Sequence, residues 1–212
     1  MSWFDAKRMY LKKLHKTLKN YKQEAHYYYG KKASSYLRYL YYSGMRINTF
    51  YVYQNDLERE LPKLDLDSGF RIIKPTTGDL DSVRRRKVLP REFYYDKILN
   101  ARTCYLAFKD EEVAYIHWVF FKGDYSRFLI LTNGVAELNY NTTLPKFRGR
   151  RLCAKMVAYI SKDLQELGYE KVMGIIHEHN VAMIKCIEEA GFKEIKRIRS
   201  VGPFNRKYRI NA

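Results

Sequence analysis

The stretch Leu144-Pro145-Lys146-Phe147-Arg148-Gly149-Arg150-Arg151-Leu152-Cys153-Ala154-Lys155-Met156 carries the residue types that hold a phosphate. Arginines flank a glycine immediately before an amphipathic run. Backbone N–H groups at a fresh helix start point outward, and the helix dipole favours an anion there. A second group is His177-Glu178-His179. His-x-His is a spacing that metals use, but no third ligand is evident, so no metal site is expected. Its two readings are substrate orientation or proton relay, and plain polar residues at a helix entry.

These residues need elements to position them. Val135, Leu138 and Leu144 lead into the arginine-glycine turn as a strand spanning about Gly134 to Leu144. After the turn, Leu152, Met156, Val157, Ile160, Leu164 and Leu167 share one face of a helix from Arg150 to Leu167, stopped by Gly168. Lys171 to Ile176 reads as a buried strand. Asn180 opens another helix, with Met183, Ile184 and Ile187 apolar, ending at Gly191. Phe192 to Ser200 and Arg206 to Ile210 read as closing strands.

Upstream, Phe50-Tyr51-Val52-Tyr53 is β-prone, and Phe70 to Lys74 is a further strand. Thr77 is the expected N-cap of a charged helical stretch. Cys104 to Phe108 and Val113 to Phe121 form an expected hairpin turned by Lys109 to Glu112, with a short strand over Phe128 to Leu131.

At 212 residues, 46% apolar and 30% charged, the chain has a globular profile and can bury a real core. Its net charge of +17 calls for an anionic partner: a phosphorylated ligand, an acidic protein, nucleic acid or a membrane surface. Residues 1–50 concentrate the basic side chains, with Asp5 and Glu24 as the acids. Phe4, Leu11, Leu14, Leu18 and Tyr21 fit one helical face, and Tyr36 to Tyr41 a second helix ending near Gly44. This segment reads either as a solvated helical pair on the main domain or as a docking surface for a membrane or an acidic partner. Nucleic acid is the weaker choice, because no named binding motif accompanies the interleaved tyrosines and lysines. Cys104, Cys153 and Cys186 are odd in number and widely spaced, which reads as reduced thiols. The first residues lack a signal peptide's apolar run, and no segment approaches the ~20 apolar residues of a spanning helix. A cytoplasmic protein, or one peripheral to a membrane, is expected.

Over roughly residues 70–212 the sequence resembles the GNAT superfamily of acyl-CoA-dependent N-acetyltransferases. Two motifs carry the resemblance. Pro145 to Cys153 is similar to the family pattern of Arg or Gln, two residues, Gly, one residue, Gly or Ala. Asn180-Val181-Ala182-Met183-Ile184-Lys185-Cys186-Ile187-Glu188-Glu189-Ala190-Gly191-Phe192 is similar to its asparagine-to-Gly-Phe segment. Arg151 departs from the pattern, standing where glycine is usual, and Cys153 stands where a small residue is usual.

The resemblance implies an α/β (α+β) fold: a mixed, mostly antiparallel central sheet flanked by helices, here as an acyltransferase domain over 51–212 with the basic helical extension 1–50. It implies that the backbone of Arg148, Gly149, Arg150, Arg151, Leu152, Cys153 and Ala154 cradles the pyrophosphate of acetyl-CoA. Asn141, Thr142 and Thr143 would pair with the pantetheine arm through their backbone. Asn180 would contact that arm, or serve as a plain helix N-cap. Glu137 is the candidate general base, at an offset from Arg148 like that of the strand glutamate in the histone-acetyltransferase branch; apolar neighbours would raise its pKa. Ile187 stands where many members place a tyrosine acid. The implied activity is transfer of an acetyl group from acetyl-CoA to a primary amine, on an anionic acceptor such as an amino sugar. Two alternatives stay open: an acyl carrier protein as donor, and a non-catalytic module that binds CoA or anions.

Overall fold

The computed structural model describes residues 33–41, 47–86, 88–201 and 210–211. The chain divides into two compact units. Within the first, which runs to Ile47, helix α1 spans Ser34–Leu40 and exposes Leu37 and Leu40. The expected first helix, from Phe4 to Tyr21, and the helix stop near Gly44 lie outside the described residues.

The second unit is built on a seven-stranded sheet in the order β2-β3-β4-β6-β7-β1-β8. Its strands are β1 (Ile47–Asp56), β2 (Phe70–Ile73), β3 (Thr103–Lys109), β4 (Glu112–Phe120), β6 (Val135–Thr143), β7 (Lys171–His177) and β8 (Lys193–Val201). The pairs β2–β3, β3–β4, β4–β6 and β7–β1 run antiparallel, and β6–β7 runs parallel. This is the mixed, mostly antiparallel sheet that the family resemblance implies. A small parallel pair joins β5 (Leu129–Ile130) to β9 (Ile210–Asn211). Most of the expected closing strand from Arg206 lies outside the described residues.

Helices cover both faces, so β3 and β4 are buried almost end to end instead of alternating. On one face lie α2 (Thr77–Arg86), a 3-10 turn (Arg91–Tyr94) and α3 (Tyr95–Leu99). Trp118 Nε1 reaches from β4 to the Glu92 carbonyl at 2.6 Å on that face. The segment from Arg91 to Leu99 has no long apolar period, so the sequence predicts no element there. The cap of α2 also differs from expectation. Thr76, not Thr77, is the N-cap: Asp79 N donates to Thr76 Oγ1 at 3.3 Å and Thr76 N donates to Asp79 Oδ2 at 2.8 Å. That reciprocal pair is a capping box, and it needs an acceptor three residues on, which Thr76 has in Asp79.

On the other face lie α4 (Leu152–Glu166) and α5 (Val181–Glu189), packed against each other. In α4 the buried positions Leu152, Met156, Ile160 and Leu164 recur every four residues, beside Val157 and Ser161. Tyr53 from β1 donates to Glu188 of α5 at 2.8 Å.

Candidate active site

Strands β6 and β7 make a short parallel ladder from Val135–Lys171 to Leu138–Gly174, and there the ladder ends. β6 runs on to Thr143, held by β4 as far as Thr143–Tyr115. β7 runs on to His177, held by β1 at Phe50–His177. Each strand is thus kept by its outer neighbour while the inner ladder stops, and a wedge opens between them. The parting has a local cause. Across the β4–β6 pair the register shifts so that Tyr140 and Asn141 together oppose His117. Tyr140 adopts φ 48°, in the left-handed region. A bulge of this kind bends its strand and raises its twist. Gly174 closes the apex: a side chain there would stand 2.7 Å from Ile187 Cδ1, so glycine allows α5 to lie close on the sheet.

The arginine-glycine turn stands at the end of β6. Phe147, in a 3-10 turn (Pro145–Phe147), is buried and anchors it. Arg148 Nε donates to the Thr143 carbonyl at 3.0 Å, tying the turn to the strand end. Gly149 has φ 78° with nothing within 4 Å of where a Cβ would stand, a conformation and an openness suited to close approach by a ligand. Arg151 is the N-cap of α4 at φ 57°, and no side chain caps the helix there. The first turn of a helix has N–H groups without intrahelical partners. Leu152 and Ala154 are buried, and Arg148, Gly149, Arg150 and Arg151 are exposed. The Arg151 guanidinium is paired with Glu189 at the end of α5. Arg151 therefore takes the left-handed turn despite its side chain, and directs its charge to α5.

Asn180 is the N-cap of α5, its side chain accepting from Met183 N at 3.2 Å. The cap reading is thus formed in the structure. Cys153 and Cys186 are bridged, with Cα atoms 6.1 Å apart, and Cys104 is free and buried. This corrects the expectation of reduced thiols for that pair. Their 33-residue separation hides the fact that α4 and α5 lie side by side. Ile187 is fully buried at the wedge apex and provides no acid.

Glu137 lies on the face of α2 and α3, one pair before the ladder ends, opposite Phe120 on β4 and Met173 on β7. It is buried, and burial raises its carboxyl to about 7; Ser126 and Asn139 moderate the rise. Asn139 Nδ2 donates to Oε1 at 3.0 Å, while Oε2 makes no hydrogen bond. A buried carboxylate oxygen with its lone pairs free, titrating near neutrality, is suited to accept a proton. Beside it, Tyr140 stacks on Tyr95 at 4.2 Å between ring centroids and meets Phe120 at 5.8 Å. Burial, then the nearby Glu137 charge, raises the Tyr140 hydroxyl pKa. Arg91 lies over Tyr95 at 5.7 Å and Arg127 over Phe128 at 4.7 Å. Sequence reasoning missed these rim residues, because Arg91, Tyr95 and Arg127 come from three separate elements and connections with no shared motif.

His177 Nε2 lies 2.8 Å from Asn48 Oδ1, with its ring edge-on to Phe50, and His179 lies 5.3 Å away ring to ring. Among the described residues no group of three or more His, Cys, Asp or Glu side chains is arranged to hold a metal. Nor is any described helix long and apolar enough to cross a membrane.

The sequence model of the acetyltransferase (GNAT) family matches residues 70–192. No curated protein matches the chain. Among solved structures, a GNAT-family acetyltransferase from Colwellia psychrerythraea superposes with TM-score 0.55 at 16% identity, over 79% of this chain and 60% of that one. An N-acetyltransferase from Sphaerobacter thermophilus gives 0.54 at 14% identity, over 85% and 59%. The glucosamine N-acetyltransferase region of a fungal multi-domain β-N-acetylglucosaminidase gives 0.55 at 14% identity, over 80% and 23%. The chain thus spans less than two thirds of each of these proteins, and at these identities the likeness is one of fold.

Proposed function

The chain belongs to the GNAT acetyltransferase family, and we propose that it moves an acetyl group from acetyl-CoA to a primary amine on an anionic acceptor. The observation that carries this reading is the wedge: the β6–β7 ladder stops at Leu138–Gly174 while both strands continue, with the uncapped start of α4 next to the end of β6. A strand edge past its last ladder pair is a template for an extended amide chain. The pantetheine arm is such a chain, and Asn141, Thr142 and Thr143 are the positions that would take it. Its pyrophosphate would then fall on the backbone N–H groups between Arg148 and Ala154.

The chemistry follows from the two sides of the wedge. The acceptor reaches it from the Glu137 side as an ammonium ion. Glu137 accepts a proton, directly or through one water, and the free amine attacks the thioester carbonyl carbon. The C–S bond then breaks and the thiolate departs; the attacking nitrogen gives its second proton to solvent, and solvent protonates the thiolate, since Ile187 provides no hydroxyl. Arg91 and Arg127, near Tyr140, favour an acceptor bearing carboxylate or phosphate. The +17 charge would raise the capture rate of such an acceptor, and salt would lower it. Residues 1–50 are proposed to dock on an acidic protein or membrane surface. Deleting residues 1–45 should abolish binding to anionic vesicles or acidic partners and leave thiol release from acetyl-CoA in place; loss of both would assign the segment to the catalytic domain.

The test is release of free thiol from acetyl-CoA with a panel of amines, each offered with and without a carboxylate or phosphate, at low and high salt. Faster turnover of the anionic amines, reduced by salt, is expected. No thiol release with any amine, together with no calorimetric heat from any CoA thioester, would end the proposal.

A further inference from the structure

Opposite the bulge in β6 stands His117, a fully buried imidazole on the face covered by α4 and α5. Nδ1 lies 2.8 Å from the Tyr115 hydroxyl, and Nε2 lies 3.5 Å from the Asn141 side-chain amide. Both ring nitrogens therefore face a polar group. Tyr115, buried in turn, lies 3.8 Å from Cys153 Sγ in the first turn of α4. Asn141 also lies 3.2 Å from Met183 Sδ on α5. One line of side chains thus runs from the first turn of α4, through two neighbours on β4, to the strand edge beside the wedge.

Burial keeps His117 neutral, with its pKa lowered to about 3. A neutral imidazole has one donor and one acceptor. With Asn141 donating to Nε2, the ring proton sits on Nδ1 and is given to the Tyr115 oxygen. The Tyr115 proton then points toward Cys153 Sγ. Such a ring is fully used by its partners and carries no charge to offer a substrate. It is a fixed spacer placed where two residues of β6 must face one residue of β4.

We propose that His117 is a positioning residue: it holds Asn141 and the two-residue bulge in place, and so sets the width of the wedge that receives the donor. The link to the donor rests on the transferase reading; the link to the bulge does not.

The experiment separates the two. In the full-length chain without donor, amide hydrogen exchange is compared between parent and His117→Leu. Exchange at residues 139–143 should rise about tenfold or more while residues 135–138 keep the parent rate. In the same preparations the KM for acetyl-CoA should rise about tenfold with kcat within about twofold, the expected size for one lost buried hydrogen bond. His117→Gln, which retains a donor and an acceptor, should recover most of both. If His117→Leu does not fold, Asn141→Ala breaks the link from its outer end and should give the same local exchange. Unchanged exchange, or a uniform rise across β4, β6 and β7, would overturn the proposal. So would a fall in kcat at constant KM. If the parent neither binds nor turns over acetyl-CoA, the transferase reading fails and the exchange pattern alone decides the role of His117.

Discussion

Glu137 and His117 sit on neighbouring strands and are 1% and 0% exposed, yet they face opposite sides of the sheet and do opposite things. Burial favours the neutral form of each. For the acid this moves titration up to about 7, and for the imidazole down to about 3. Desolvation therefore makes one side of the strand pair responsive near neutral pH and the other inert. The partners differ in step: one Glu137 oxygen is without a hydrogen bond, while both His117 nitrogens face polar groups. A site that must move a proton keeps a lone pair open; a site that must hold a shape does not.

The largest effect expected from breaking this contrast is on rate. Glu137→Gln should lower the acetylation rate by about 10² to 10⁴, the usual range for a general base, with little change in affinity for CoA. In the parent, kcat/KM should rise as pH passes through about 7, where Glu137 loses its proton. Parent and mutant with the same rates at every pH would remove Glu137 as the base.

Stability against pH comes next, and the signs are opposed. Glu137 holds its proton more tightly in the fold than its ordinary value of 4.5 allows, so its contribution is full below about 4.5 and is lost as pH rises through about 7. His117 holds its proton less tightly than its ordinary 6.5, so its contribution is full above about 6.5 and is lost as pH falls toward about 3. Between roughly 4.5 and 6.5 the two slopes oppose, each at most about 1.4 kcal/mol per pH unit. Denaturant titrations across that window should show stability rising more steeply with pH in Glu137→Gln, and falling more steeply in His117→Gln. Parallel curves for parent and both variants would show that neither group is shielded as the fold implies.

The smallest effect concerns only the His117 side, where Tyr115 meets Cys153. Thiol titration of the denatured, unreduced protein should find one free thiol, Cys104, out of the three cysteines in the chain. Finding three would show Cys153 and Cys186 reduced in solution.

Much of this was legible in advance wherever the signal was local. The strand before the turn, α4 and α5 appear within about two residues of their expected bounds, because each has an apolar period and a stop. Glu137 was identifiable as a strand residue among apolar neighbours, and its raised pKa follows from that burial. His117 was not: in Val113 to Phe121 it reads as one more strand position, and its partner Asn141 is 24 residues away. The N-cap role of Asn180 is local in the same way, and its hydrogen bond from Met183 N is formed. Thr76 was missed as a cap because Thr77 has the same side chain one residue later, and only the Asp79 contact separates them.

What the sequence by itself determined is the order of the strands, of α2, α4 and α5, and the arginine-glycine turn, since helix periods and turns depend on residues a few positions apart. Tertiary structure alone decided that β1 inserts between β7 and β8, that the β6–β7 ladder stops at Leu138–Gly174, and that Cys153 meets Cys186. It also decided which face of β6 carries a titrating carboxyl. Each of these depends on register between distant strands, where one extra residue at Tyr140–Asn141 redirects every side chain beyond it, and no linear pattern records that shift.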